Sequence, residues 1–238
     1  MVDKKKIGAI IFSRLDSKRL YGKALIDIGG EPLLGRVIER AKLIKGIDKL
    51  IVATSDRSID NKIHDFAIKK GLNTTRGSCN DVYQRAIQAC EEYNFDCFAR
   101  ICGDRPFFDY ELVSKGINIF KNGNFDLVTT MFPRTYPPGL TTEIISKELL
   151  KKFDKKIVDK FDREHLTTYF YKKKKDIDIA IKNIDNYDYE SIKNLRLVVD
   201  DEYDLAKARW IAKYHSGDQK LLTIKKIISL ASIYNESN

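Results

Sequence analysis

Ile7-Gly8-Ala9-Ile10-Ile11-Phe12 empties into Ser13-Arg14-Leu15-Asp16-Ser17-Lys18-Arg19-Leu20-Tyr21-Gly22-Lys23. The first six residues are apolar and stop at a polar cluster, which is the pattern of a short buried strand. Arg14, Arg19 and Lys23 then lie beyond its carboxyl end. In open α/β sheets ligands collect at that edge. Arg and Lys supply forked and point-charge donors for phosphate oxygens, and Gly22 lets the backbone approach a ligand or take φ > 0. The stretch reads as a strand feeding a polyphosphate cradle; the alternative is a basic surface loop with solvated side chains.

Outward from this stretch, strand and helix patterns alternate. Ala24 to Ile28 reads as a short extended piece closed by Gly29-Gly30. Pro32 suits a first helical turn, and Leu33, Leu34, Val37, Ile38, Ala41 and Ile44 recur at helical spacing. Lys49 to Thr54 is the second expected strand. Ser58 or Asp60 is placed to cap a helix running through Lys70 to a stop at Gly71. A polar run from Thr74 precedes a helix from about Val82 to Tyr93, with Asn80 or Asp81 as its cap, and Cys97 to Cys102 is the next strand. Asp109 starts a helix to about Lys121, and Phe125 to Met131 returns as a strand. This alternation predicts a three-layer α/β/α fold, Rossmann-like, around a mostly parallel twisted sheet with right-handed crossovers.

The regular pattern breaks after residue 131. Phe132 to Gly139 holds three of the five prolines, and Leu140 to Ile145 alternates like an exposed or edge strand. Asp162 to Phe170 is expected to be helical, with Lys172 to Lys175 as its solvated end. The chain is therefore read as one domain over 1–238, carrying a smaller β/α insertion at 132–175 that would form an acceptor wall or a dimer contact. Gln219 to Ser232 reads as a closing amphipathic helix.

Composition narrows the classes. The chain has 238 residues, 43% hydrophobic and 32% charged, and so is globular. A net charge of +9 allows nucleic acid, anionic membrane or an anionic small molecule as partner. The excess is scattered and lacks the aromatic-and-basic interleaving of a nucleic-acid platform, so no nucleic acid is expected. Cys79, Cys90, Cys97 and Cys102 have no paired CxxC spacing and no nearby histidines, which argues against a metal cluster and fits a reducing compartment. Cys97 and Cys102 read as core thiols. No apolar run approaches the ~20 residues of a spanning helix, and no signal peptide is evident, so no membrane contact and a cytoplasmic location are expected.

Two carboxylates carry the remaining chemistry. Asp104 sits in Gly103-Asp104-Arg105-Pro106 directly after a strand; such a group is a ligand for a hard cation, because Mg²⁺ takes one or two carboxylates plus phosphate oxygens and water. It would otherwise bond turn amides before Pro106. Leu195 to Val199 reads as a strand running into Asp200-Asp201. Asp201 is the natural cap of the following helix, which leaves Asp200 to face Asp104 across a shared cation.

Together, the opening loop, Gly103-Asp104-Arg105-Pro106 and Val199-Asp200-Asp201-Glu202-Tyr203-Asp204-Leu205 resemble the cytidylyltransferases that make CMP-activated acidic sugars, among them the 3-deoxy-manno-octulosonate and sialic acid enzymes. Arg76-Gly77-Ser78 to Asp81-Val82, Pro138-Gly139-Leu140 to Glu143, and Arg163-Glu164-His165 look more specifically like the spore-coat polysaccharide branch. The likeness runs in order from residue 7 to about 210. Ser13 and Tyr21 stand where the family usually has Ala and Pro, and the sugar-proximal motif of the octulosonate and sialic acid enzymes is not apparent.

The resemblance implies a nucleotide-diphospho-sugar-transferase fold and a magnesium-dependent transfer of CMP from CTP to a small acidic acceptor. It implies Arg14, Arg19 and Lys23 on the triphosphate, with Asp104 and Asp200 as metal ligands and catalytic residues. Ser13, Ser17 and Arg76 join the nucleotide site, with Arg76 and the backbone near Ser13 on the base. Arg134, Glu143, Arg163 and His165 are acceptor-side candidates. A homodimer is expected by the same analogy. His64, His165 and His215 are scattered, and none is assigned as a general base. Two alternatives stay open: a cytidylyltransferase for a phosphorylated or phosphonate acceptor, and a nucleotide- or RNA-binding protein without turnover.

Overall fold

A computed structural model describes residues 5–17, 19–186, 188–214 and 222–237. Lys18, His215 and the first residues of the expected closing helix, 219–221, lie outside that set. The chain opens with β1 (Ile7–Phe12), α1 (Leu33–Ala41), β2 (Lys49–Ser55), α2 (Asn61–Lys69), β3 (Asn73–Gly77), α3 (Val82–Glu92), β4 (Cys97–Cys102) and α4 (Tyr110–Lys121). It continues with β5 (Leu127–Thr129), β6 (Glu143–Ser146), α5 (Lys147–Phe153), α6 (Lys160–Glu164), α7 (Thr168–Lys172), β7 (Ile181–Asn183), α8 (Tyr189–Ile192), α9 (Glu202–Lys213) and α10 (Ile224–Ser237).

The strands form a seven-stranded sheet in the order β3-β2-β1-β4-β6-β5-β7. β1 to β4 run parallel, β5 pairs parallel with β7, and β6 is antiparallel to both of its neighbours. The sheet is mostly parallel, with helices on both faces, as expected. Strand period 2 divides the core. Ala9 and Ile11 pack under α1 and α4, while Ile10, Phe98 and Ile145 pack under α3 and α5. Ile7, Ile10 and Ile11 are wholly buried, each contributing about 1.5–3 kcal/mol of transfer free energy.

From β1 the chain moves outward through β2 to β3, then returns across β1 to β4 on its other side. Adjacent strands whose connections leave in opposite directions open a crevice at their carboxyl ends. The opening loop follows β1 and Gly103-Asp104 follows β4, so both emerge there. Close approach needs Gly103: a Cβ at that position would sit 2.8 Å from the Ser13 Cβ and 3.0 Å from the Phe12 carbonyl oxygen.

Several local expectations are corrected. β6 lies inside the sheet, with Glu143, Ile144 and Ile145 buried, rather than at an exposed edge. Leu195 to Val199 forms no strand and joins no sheet; its amides bond loop carbonyls, Leu197 to Pro138 and Val199 to Asp104. The helix expected over Asp162 to Phe170 is broken into α6 and α7, with Leu166 at φ 54° between them. Lys23–Leu25 is a single 3₁₀ turn rather than the start of an extended piece. β3 had no counterpart in the sequence reading.

Candidate active site

The loop after β1 is pinned before it reaches the cleft. Ser13 N–H donates to the Ala53 carbonyl at 3.2 Å, Gly22 N–H to the Leu15 carbonyl at 3.0 Å, and Leu15 N–H to Asp60 Oδ1 at 2.7 Å. Asp60 is fully buried and also accepts from Ser55 Oγ and Arg57. The sequence suggested Ser58 or Asp60 as cap of α2. Asp60 occupies the cap position, but its side chain makes no cap bond and holds the cationic loop instead. Gly22 takes φ 72°, turning the chain so that Lys23 points back into the crevice.

A cleft of about 450 Å³ lies over the carboxyl ends of β1 and β4. Ser13, Arg14, Ser17, Arg19, Lys23, Asp104, His165 and Asp200 all line it, so most of the expected site residues converge from across the sequence. At its centre the Lys23 ammonium donates to Asp200 Oδ1 at 2.7 Å and Asp104 Oδ2 at 3.1 Å. Asp104 and Asp200 do face each other across a cation, and here that cation is Lys23. Arg19 Nη2 adds a contact to Asp200 Oδ2 at 2.8 Å, and Arg196 bonds the same oxygen. Burial works against ionisation of Asp200, yet the Lys23 hydrogen bond and charge, with Arg19 and Arg196, hold its pKa below the usual 3.8.

Asp200 arrives by way of its neighbours. The Val199 amide is bonded to the Asp104 carbonyl at 2.9 Å, and Asp204 Oδ2 accepts the Asp200 amide at 3.0 Å and Arg196 Nε at 3.3 Å. Asp201 caps α9 through the Asp204 amide, as read from the sequence. Arg196 was missed, because one arginine in a Leu-rich run carries no positional signal.

The opposite wall differs. Its Glu164 takes a contact from the loop, Arg14 Nη2 at 2.9 Å. Arg85 and Arg100 line the cleft, each with an Nε that has no partner among the described residues. Arg85 is 2% exposed, and burial lowers its pKa. Arg100 is tied through Nη1 to Glu143 Oε2 at 2.8 Å, and Glu143 Oε1 accepts from Thr167 Oγ1 at 2.7 Å and from the Tyr171 hydroxyl. Desolvation lowers the His165 pKa from its ordinary 6.5, with Arg100 and Arg14 adding to it against Glu164 and Asp162. Cys102 also lines the cleft, where the sequence suggested a core thiol; Cys97 is buried as expected.

Four candidates do not line the cleft. Arg76 donates to the Ser55 and Arg57 carbonyls, fixing the end of β2. Glu143 lies beneath the wall and acts on it through Arg100. Arg163 clamps Asp81 and Asp154 at 2.7 and 2.8 Å. Arg134 is exposed on the proline-rich loop.

A cationic loop facing two carboxylates at the switch point of a mostly parallel sheet marks an α/β protein with its candidate ligand site at the carboxyl ends of β1 and β4. The family model described as Cytidylyltransferase matches residues 8–227, and the chain belongs to that family of enzymes. It is similar to the spore coat polysaccharide biosynthesis protein SpsF of Bacillus subtilis, 30% identical over 166 residues, covering 67% of this chain and 68% of the relative. It is also similar to the 8-amino-3,8-dideoxy-manno-octulosonate cytidylyltransferase of Shewanella frigidimarina, 31% identical over 169 residues, covering 69% of this chain and 64% of the relative. In both cases the chain spans about two thirds of the relative's length. A cytidylyltransferase structure from Leptospira borgpetersenii superposes with a TM-score of 0.86 at 27% identity, covering 98% of this chain and 95% of that one.

Proposed function

We propose that this chain transfers CMP from CTP to an acidic sugar, releases pyrophosphate, and serves surface polysaccharide synthesis with magnesium as cofactor. The observation that carries the proposal is the convergence of Arg14, Arg19 and Lys23 with Asp104 and Asp200 over a cleft of about 450 Å³. The two named relatives support the sugar-acid and polysaccharide part of the reading.

The donor set suits the metal. Two carboxylates converge on one cation position, and Mg²⁺ is held by one or two carboxylates plus phosphate oxygens and water. Among the described residues no group of three or more His, Cys, Asp or Glu forms a fuller cage. Asp104 and Asp200 would hold the ion, which when bound neutralises charge on the phosphates and acidifies the acceptor hydroxyl. The chain's own residues do the rest. Arg14 and Arg19 orient the triphosphate and stabilise the departing pyrophosphate, while the opposite wall positions the acceptor. The acceptor oxygen attacks the α-phosphorus in line; its bond to phosphorus forms as the bridging oxygen leaves with pyrophosphate, and the hydroxyl proton is released. Positioning and electrostatics dominate such transfers, so no nucleophilic triad is required.

The same reading makes the protein a cytoplasmic homodimer that pairs through 132–175, where Val158 and Phe161 are exposed. Light scattering of the purified chain tests the dimer. Pyrophosphate release from each of the four nucleoside triphosphates, with magnesium and a panel of acidic sugars, tests the reaction. Release specific to CTP and one acid is expected. CTP binding without release with any acid would sink the proposal.

A further inference from the structure

Lys23 is fully committed before a ligand arrives. Its ammonium donates to Asp200 Oδ1 at 2.7 Å, to the Val199 carbonyl at 2.8 Å and to Asp104 Oδ2 at 3.1 Å. A lysine ammonium has three donors, and all three are used. A phosphate oxygen can be received only when one of these bonds is given up. The side chain is 13% exposed, so solvent does little to loosen it.

The same contacts set a positive charge between the two carboxylates that the proposed function gives to a divalent cation. One position cannot hold both, because like charges at contact distance repel strongly where water is scarce. Arg19 and Arg196 meet Asp200 on its other oxygen, outside the gap between the carboxylates.

We propose that Lys23 is a resident counter-ion. Its ammonium holds Asp104 and Asp200 together in the ligand-free protein and is exchanged for the divalent cation when the nucleotide arrives, passing to the triphosphate as it leaves. This inference rests on the metal reading above. No covalent bond changes: one unit of positive charge leaves the carboxylate pair and two units enter. A metal ion arriving alone must evict the ammonium with no new partner for it, whereas a triphosphate supplies that partner. Metal and triphosphate therefore strengthen each other's binding, reciprocally as linkage requires, by a factor in the usual coupling range of about 5–150.

The test is Mn²⁺ titration of the nucleotide-free protein, with unbound Mn²⁺ read by electron paramagnetic resonance. Lys23→Met is expected to bind Mn²⁺ at least about tenfold more tightly than wild type, within that coupling range. Arg19→Met removes an equal charge from Asp200 but none from between the carboxylates, and should change affinity by less than about threefold, since exposed charges are screened. Adding Asp104→Asn to Lys23→Met should abolish the gain. Equal gains in Lys23→Met and Arg19→Met, no gain in Lys23→Met, or a gain that survives Asp104→Asn would each overturn the proposal. Lys23→Gln, which keeps a donor toward one carboxylate, replaces Lys23→Met if that variant melts early. No CTP or acceptor is present in this titration, so its failure is separate from a failure of CTP-specific pyrophosphate release.

Discussion

The two walls of the cleft use charge in opposite ways. On the loop side, Arg19, Lys23, Asp104 and Asp200 meet one another across the opening, on backbone fixed elsewhere by Asp60 and by amide bonds. On the side built from 132–175, Glu143 and Arg163 turn inward and spend their charge on Arg100, Asp81 and Asp154. The first wall gathers its charges at the opening of the cleft; the second uses charge to fix its own shape. Removing a loop-side charge should therefore damage function, and removing a charge beneath the far wall should damage stability.

Asp104→Asn offers the strongest way to break this comparison. Turnover should fall by about 10³-fold, the scale of losing one electrostatic stabiliser of a transferring group, while the melting temperature moves by no more than a few degrees. Equal loss of both would make Asp104 structural and erase the difference between the walls. Glu143→Gln is the converse. It leaves Arg100 without its carboxylate in a buried site and should cost about 3 kcal/mol in urea unfolding.

The pH dependence sharpens that second prediction. Burial raises the Glu143 pKa, but the Arg100 charge and the Tyr171 and Thr167 hydroxyls outweigh it and hold the group below its ordinary 4.5. A depressed folded-state value means its stability contribution is fully present above that ordinary value and is lost as pH falls through the lowered one. The gap between wild type and Glu143→Gln should be flat above about pH 5 and narrow in more acidic solution. A gap that stays constant to pH 2 would remove ionised Glu143 from the account.

Lys23→Ala should weaken CTP binding by about tenfold and CMP binding by much less, in calorimetry with magnesium present, because an ammonium paired with phosphate acts on the part CMP lacks. Equal weakening would place Lys23 away from the outer phosphates. Arg134→Ala is the smallest: an exposed residue on the proline-rich loop should change unfolding free energy by less than about 0.5 kcal/mol. A rise in acceptor KM in this variant would bring the loop into the site and blur the contrast.

The same contrast explains how much was legible in sequence. β1 is a continuous apolar run, β2 is apolar through its middle and β4 is apolar except for Arg100, and Asp81, Asp109 and Asp201 cap helices where local patterns place caps. β3 was not legible because Asn73-Thr74-Thr75-Arg76-Gly77 has neither an apolar run nor alternation; its parallel pairing with β2 makes it a strand. β6 reads as an edge because its alternation does not reveal that β4 and β5 bracket it. On the loop side, charge type and order reveal the residues directly. On the far wall, Glu143 and Arg163 look like ligand groups until their partners are known, while Arg85 and Arg100, which do reach the cleft, sit inside a helix and a strand that read as core.

One consequence of the stitched segment before Asp200 concerns synthesis. Lys23 meets Asp104 across 81 residues and Asp200 across 177, and Asp200 is held by amide bonds to the Asp104 loop and by Asp204 in α9. A nascent chain that has emerged through β4 already possesses four parallel strands and the whole cationic loop, but only half of the carboxylate pair. Until the segment before α9 docks, the ammonium of Lys23 lacks two of its three acceptors, the Val199 carbonyl and Asp200 Oδ1. Docking of the segment from Val199 to α9 gives the loop its internal counter-charge.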